Sequence, residues 1–433
     1  MATEILADDF KIEPYWWEDA PRPEVDKEDL PDEVDVLVVG SGYTGLHTAL
    51  QTAREGMGTL VLDAQQLGAG CSSRNGGQVS MSVKGTFPEM TRQYGPGRAT
   101  ALLKEGHNAM DYLDRFIRDE HIECGWERNG RFSGAHNTRA YESMARALRA
   151  LPPELATEWH MVTRQEQRSE IGSDLYYGGV VYPEHGALHP GRYHLELLAR
   201  VRKAGATVRG HCPVLRIERR ASTGYEVHTP KGRVRAGKVA IATNGYTKEV
   251  SPWLRRRIIP IGSYIIATEP LDEAVAREIS PHNRVMSDSR KLVFYYRLSP
   301  DRRRVLFGGR VALSETDPNM SAPALHQAMC KIFPQLSKTR LSHSWLGFVG
   351  YTFDTLPHVG QHDGVHYAMG YCGSGISLSS YCGAMMGREM AGQTDAHTAF
   401  ADVKFKTRPL YKGNPWFLEP SVLYYKLRDH LNI

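Results

Sequence analysis

The sequence predicts an α/β fold. A parallel-sheet unit near the start and a second strand-to-helix unit near the end enclose a middle portion rich in antiparallel strands. Three observations carry this. The stretch 35–64 opens with the apolar run Val36-Leu37-Val38-Val39 and passes through Gly40-Ser41-Gly42-Tyr43-Thr44-Gly45 into a helical segment. It closes with a second apolar strand ending at Asp63; continuous apolar runs suit strands buried on both faces. From 207 to 310 short alternating segments dominate, and near the end His366-Tyr367-Ala368-Met369 leads through a Gly-rich turn into a helix over 376–390.

Taken in order, residues 1–33 are acidic and proline-bearing. They read as an arm whose rings, Tyr15-Trp16-Trp17, pack into a groove. A helix over 44–54 stops at Glu55-Gly56. Residues 66–78, QLGAGCSSRNGGQ, are rich in Gly, Ser and Asn. This composition predicts a loop with exposed backbone N–H groups that a flat polar ligand can approach closely. Helices are expected over 97–120, 139–150 and 190–204, the last stopped by Gly205. Residues 126–137 resemble a hairpin turning near Asn129-Gly130. Residues 207–219 read as a strand pair, and 225–229 with 233–242 as a meander ending in the small-residue turn Thr243-Asn244-Gly245. Segments 258–268 and 292–310 are strand-rich. The last helix carries Gly383, Ala384 and Gly387, which suit close packing.

The stretch 35–64 has its parts in dinucleotide-binding order. Gly40 permits the tight turn, Gly42 lets backbone approach a pyrophosphate, and Gly45 lets helix pack on strand. The helix start offers free N–H groups and a positive dipole end to phosphates. Asp63 sits where a carboxylate accepts hydrogen bonds from ribose hydroxyls.

Length and composition bound the rest. The chain has 433 residues, room for two domains. Its net charge of +4 comes from 53 basic and 49 acidic residues, dispersed apart from Arg255-Arg256-Arg257 and Arg302-Arg303-Arg304. That balance does not suggest a nucleic-acid partner. No CxxC pair occurs among Cys71, Cys124, Cys212, Cys330, Cys372 and Cys382, so neither a zinc site nor a disulfide framework is expected. Reduced thiols suit a cytoplasmic protein. The start lacks a basic segment followed by a long apolar core, and no run is long enough to span a bilayer. His185, His189, His343, His358, His362 and His366 match no metal-ligand spacing, and no metal is expected.

The sequence resembles the D-amino-acid-oxidase-like FAD-dependent oxidoreductases, and within them the gamma-glutamylputrescine oxidase branch. The resemblance rests on VVGSGYTGLHTAL (38–50), SSRNGGQ (72–78), IATNGYT (241–247), LFGGR (306–310), DTLPHVG (354–360) and GYCGSGIS (370–377). These occur in family order, with RNGGQ and the tail YYKLRD (424–429) as branch features. The resemblance implies an FAD domain of the glutathione-reductase type (30–120, 190–250 and 340–433), intertwined with a substrate domain on a mostly antiparallel sheet (121–189 and 251–339). Residues 1–29 form the arm.

It also implies roles. Gly40, Gly42, Tyr43, Thr44, Gly45, Asp63 and Ala64 would hold the ADP part. Ser72, Ser73, Arg74, Asn75, Gly76, Gly77 and Gln78 would lie along the flavin ring. Val214 would meet the adenine through its backbone, and Thr243 and Asn244 the pyrophosphate-ribose region. Gly373, Ser374, Gly375 and Ile376 would approach the pyrimidine edge of the ring. The segment 350–354 has no cysteine where some relatives attach flavin covalently, so non-covalent FAD is expected.

The implied chemistry is oxidation of a small amine, with gamma-glutamyl-polyamines as the model. The imine formed is hydrolysed to aldehyde plus amine or ammonia, and oxygen is reduced to hydrogen peroxide. Such an enzyme needs orientation and a dry pocket that keeps the amine neutral. Tyr295 and Tyr296, Tyr264 and Tyr351 are candidate walls, of which Tyr264, Tyr296 and Tyr351 are expected in the pocket. Lys291 is expected near the ring, at the start of a strand. Arg256, Arg297 and Arg310 are candidate anchors for a substrate carboxylate. A quinone-linked dehydrogenase and a non-catalytic flavin-binding redox sensor are the alternatives.

Overall fold

The computed structural model describes residues 5–24, 28–221, 223–310 and 317–431; residues 1–4 and 25–27 of the expected arm lie outside the described residues. Of the tail 424–429 the backbone is helical, and the side chains of Lys426, Arg428 and Asp429 lie outside the description.

Two large sheets organise the chain. Five strands of the first run parallel, in the order Val365–Met369, Gly232–Ile241, Glu33–Val39, Thr59–Leu62 and Thr207–Arg209. Val36, Val38 and Val61 face one core cluster while Leu37, Leu60 and Val239 face another, all fully buried. Burial on both faces is why these strands read as unbroken apolar runs. The antiparallel hairpin of Arg216–Arg219 and Tyr225–Thr229 extends from the first half of Gly232–Ile241, and His358–His362 pairs with Val365–Met369.

The helices Tyr43–Arg54, Pro96–Asp119, Pro190–Lys203 and Gly375–Met390 contribute to one core against this sheet. Tyr43–Arg54 and Gly375–Met390 touch backbone to backbone. A Cβ on Gly383 would lie 2.4 Å from the Thr44 carbonyl oxygen, and one on Gly387 would lie 2.6 Å from that of Thr48. The matching order shows that the helices run parallel. The later helix begins eight residues before Gly383, so its start overhangs the Thr44 level by roughly 12 Å.

The second sheet has nine strands in the order Leu6–Lys11, Leu341–Tyr351, Ile259–Thr268, Val305–Gly309, Tyr295–Leu298, Val285–Asp288, Arg131–Gly134, Gly179–Tyr182 and His160–Val162. One face packs on the helix Pro318–Ile332 through Tyr264, Ile266, Tyr296 and Phe307. The other presents Ile265, Ala267, Leu306 and Trp345 to Tyr15 and Trp16 of the arm.

Two local expectations are corrected. Residues 126–137 form no hairpin. Only Arg131–Gly134 is a strand, and it pairs with Gly179–Tyr182 and Val285–Asp288, while Glu127 bridges to Ala187. Distant partners outcompete the local turn at Gly130. Residues 207–219 are not a strand pair either. Thr207–Arg209 and Arg216–Arg219 lie at opposite edges of the first sheet. The segment between them crosses the carboxyl ends of the strands, where the Cys212 N–H donates to the Asp63 carbonyl at 2.8 Å. Leu341–Tyr351 is a long strand paired with Ile259–Thr268. Its glycines mark close approaches: a Cβ on Gly347 would meet Arg74 and Cys71, and one on Gly350 would meet Asn244.

Candidate cofactor and active site

The Gly-rich turns gather at the carboxyl ends of the parallel strands, the place where open α/β sheets bind ligands. Gly40 has φ +106°, and its added Cβ would press on Ala242 at 3.0 Å. A Cβ on Gly45 would come within 1.9 Å of the Gly40 carbonyl oxygen, so only glycine lets this helix cross its strand. Gly42 caps the helix with no side-chain hydrogen bond of its own. Ser72 Oγ accepts from the Tyr43 N–H at 3.0 Å. The Tyr43 and Thr44 side chains turn inward, Tyr43 donating to the Pro190 carbonyl and Thr44 pairing with the Tyr371 hydroxyl.

Asp63 ends the second parallel strand. Its Oδ2 accepts from Ser41 N and Oγ, at 2.8 and 2.7 Å, and Oδ1 accepts from Gln65 N. This fixes the carboxylate across the glycine turn. Ala64 beside it is exposed, and Val214 follows two residues after the Cys212 bond to Asp63. Asn244 holds φ +42°, and its Oδ1 accepts from the Gly370 N–H at 3.0 Å. It thus ties the third turn to the fourth, while Thr243 pairs with Thr247.

In the 66–78 loop most side chains shape the loop itself. Ser73 donates to the Gly68 carbonyl, Arg74 to Ala69 and Leu346, and Asn75 to Cys71 and Ser72. Asn75 Oδ1 accepts from Gly77 N. Three indoles clamp this loop: Trp16 donates to the Asn75 carbonyl, Trp17 to Ser73 Oγ and Trp345 to the Arg74 carbonyl, all within 2.9 Å. The Gly77 carbonyl accepts from the Leu188 N–H and from Arg297, so what remains for a ligand is the backbone of Gly76. Gln78 bonds the Met286 and Tyr296 carbonyls and accepts from Arg131.

The fourth turn is the most open. Gly373 has φ +101°, and a Cβ there would meet only the Tyr351 hydroxyl, at 3.8 Å. A Cβ on Gly375 would meet nothing within 4 Å. Ser374 caps the helix without a side-chain bond, so the first-turn N–H groups beside buried Ile376 face that space. Cys372 is packed, its Sγ donating to the Gly370 carbonyl, and burial pushes its thiol up to about 11.

Several expected pocket residues lie elsewhere. Tyr264 and Tyr296 are fully buried beneath Pro318–Ile332, where Tyr296 stacks on Phe307 and donates to Tyr176. Strand alternation turns their neighbour Tyr295 the other way, against Gly76, with its hydroxyl on Ser263. Sequence showed the Tyr-Tyr pair but not which member faces the cofactor side. Tyr351 does stand at the Gly373 turn. Lys291 is exposed and precedes its strand, which begins at Tyr295. A lysine that sequence reading missed, Lys84, holds its Nζ 5.5 Å from the Tyr351 ring centroid. Arg297 is consumed by the Gly77, Leu188 and Leu298 carbonyls.

These features fit FAD. Neither of the two parallel helices is capped by the side chain of its own N-cap residue, and the overhang of one beyond the other separates a pyrophosphate position from a ring position. The glycines at the ring position border open space rather than packed core.

Comparison with known proteins agrees. The family model described as FAD dependent oxidoreductase, DAO, matches residues 35–389. The chain is 30% identical over 404 residues to the gamma-glutamylputrescine oxidoreductase of Escherichia coli K12, covering 92% of this chain and 93% of that protein. It is 29% identical to a probable oxidoreductase, OrdL, of Haemophilus influenzae, covering 92% of each. Among solved structures, glycine oxidase from Geobacillus kaustophilus superposes with a TM-score of 0.71 at 16% identity, covering 88% of this chain and 99% of that one. This chain belongs to the DAO family of FAD-dependent oxidoreductases.

Proposed function

We propose that the enzyme is an amine oxidase acting on gamma-glutamyl-polyamine-like or related small amines, with oxygen as acceptor and hydrogen peroxide as product. One observation carries the reading: the uncapped start of Gly375–Met390 faces open space bordered by Tyr351 and Lys84. FAD, when bound, supplies hydride acceptance from the carbon beside the amine nitrogen and return of the electrons to oxygen. The helix start then presents N–H donors and a positive dipole end where negative charge collects. Lys84, rather than Lys291, adds a cation on the same side. Tyr295 and Tyr351 provide aromatic walls that disfavour a charged amine, and water hydrolyses the released imine to aldehyde. The relative named gamma-glutamylputrescine oxidoreductase supports the substrate class.

The packed Cys372 thiol supports non-covalent FAD. All six cysteines are free, which supports a cytoplasmic place, and among the described residues no helix is long and apolar enough to cross a membrane.

The test is an anaerobic absorbance titration of the flavoprotein with gamma-glutamylputrescine, putrescine, N-methylated amino acids and D-amino acids, followed by air. Bleaching by an amine, reversed by air with peroxide, is the expected result. Bleaching that only a quinone reverses would replace the oxidase with a dehydrogenase, and no bleaching would remove this substrate class.

A further inference from the structure

A cleft of about 400 Å³ opens between the loop 81–87, the helix Pro96–Asp119 and the helix Thr138–Arg149. One wall is apolar, formed by Ala140, Met144, Ala147 and Leu148 of Thr138–Arg149. The end toward the nine-stranded sheet is polar. His185 lines it, is 4% exposed, and its buried Nδ1 has no hydrogen-bond partner. Tyr182, also lining, stacks on His185 with ring centroids 4.9 Å apart. Arg131 is paired with Tyr182 across the strands, so both side chains leave the same face of the sheet. Its buried Nε is likewise unpartnered. Its Nη2 donates to Gln78 Oε1 at 3.2 Å, a neutral acceptor. Burial pulls the Arg131 guanidinium down to about 10, with no carboxylate among the groups acting on it. His107 adds a third basic group, itself faced by Asp111 and Glu184.

A desolvated guanidinium without a counter-anion is costly, and breaking such a pair is what makes buried charge unfavourable. Tyr182 and His185, which line the cleft, bring its polar end beside Arg131. The loop that lines the cleft also borders the expected ring position. Met81, Ser82, Val83 and Gly85 line the cleft, while Lys84 between them reaches Tyr351. Gln78, which holds Arg131, follows directly on Gly76 and Gly77.

We propose that this cleft is a distal specificity pocket, in which the aliphatic part of the substrate lies along Thr138–Arg149 and a carboxylate remote from the reacting amine pairs with Arg131 and His185. This rests on the amine-oxidase reading and narrows its substrate to an amine carrying a carboxylate at the far end of an aliphatic chain. Arg131 and His185 are then specificity residues, and the pocket favours the anion by a fork of donors rather than by area.

The test is calorimetric titration of the FAD-loaded protein with hexanoate and with hexanamide, which needs no turnover. Hexanoate is expected to bind at least about tenfold more tightly than the amide, a charge-assisted pair exceeding a neutral one. Arg131→Gln is expected to abolish that preference, with Arg131→Lys restoring part of it. Ala147→Trp, filling the apolar wall, is expected to weaken both ligands alike. Retained FAD absorbance and an unchanged melting transition confirm that each variant is folded. Equal binding of acid and amide to the unaltered protein, or an undiminished preference in Arg131→Gln, would overturn the pocket. Failure of every amine to bleach the flavin would sink the oxidase reading instead and leave the calorimetric result standing.

Discussion

Gly45 and Gly375 both lie in the first turns of helices that start from Gly-rich turns, yet an added methyl has opposite consequences at the two. At Gly45 it would sit 1.9 Å from the Gly40 carbonyl oxygen, and neither backbone can yield without unseating the turn. Gly45→Ala is therefore expected to purify without bound FAD and with a lowered melting temperature. At Gly375 the methyl meets no protein atom within 4 Å. Gly375→Ala should keep the melting temperature of the cofactor-free protein while losing FAD affinity, measured by fluorescence titration. Equal melting temperatures for apo Gly45→Ala and the parent would contradict the first half. Lys84 makes a second prediction. Its Nζ lies over Tyr351, so Lys84→Met should slow flavin reduction by about tenfold, the scale of one charge beside a developing charge. Stopped-flow absorbance reads it, and an unchanged rate would remove Lys84 from the site. The GxGxxG pattern disclosed the role of Gly45 because spacing alone sets that contact. Lys84 was not legible, because nothing near it in the chain shows that 351 and 373 will meet there.

At the level of elements, the arm clamps the loop expected to lie along the flavin. The Trp16 and Trp17 N–H groups bond the Asn75 carbonyl and Ser73 Oγ, and Trp16 is fully buried. Trp17→Phe keeps the ring and removes one donor, so it should cost about 1 kcal/mol. Trp16→Ala leaves a cavity as well and should cost about 3–5 kcal/mol. Denaturant titration measures both, and FAD affinity should fall in the same order. If arm variants lost stability without loss of affinity, the arm would be a plain clasp. The parallel unit, its helices and the final strand-to-helix turn were legible in the sequence because period and glycine spacing are local signals. The strand Leu341–Tyr351 was not. Its Gly347 and Gly350 look like loop residues, but they are thin because Arg74 and Asn244 press on them from the Gly-rich turns of the first sheet. The 126–137 and 207–219 errors have the same cause: partners distant in sequence decided the pairing. The Tyr295-Tyr296 error is one of phase, since a strand's inward face is set by what packs on it.

For the molecule as a whole, burial of neutral histidines sets the acid limit. His47 lies between the Tyr112 and Tyr193 hydroxyls, His194 donates from Nε2 to the Ser41 carbonyl and accepts at Nδ1 from Arg22, and His189 caps Pro190–Lys203. Burial holds each down at about 3. Unfolded histidines take up protons near their ordinary value of about 6.5. As pH falls below that value the unfolded state binds protons that the folded state refuses, so stability declines until the pH nears 3. Each such histidine contributes a slope of about 1.4 kcal/mol per pH unit within the window. Asp288 works in the opposite direction. Burial raises its carboxyl to about 6 despite Arg290, so below that pH the folded state takes up a proton first and stability gains. Burial lowers His185 and His343 as well, so the histidines outweigh this carboxyl and leave a net loss toward acid. Melting temperature should therefore be flat above about pH 7 and fall below it. His47→Gln, which retains a polar partner for the two tyrosines, should lessen that fall by one proton's slope. A variant as acid-sensitive as the parent would mean that His47 already titrates freely in the folded protein, and that helix Tyr43–Arg54 opens to water at the very place where its start must stay fixed for FAD.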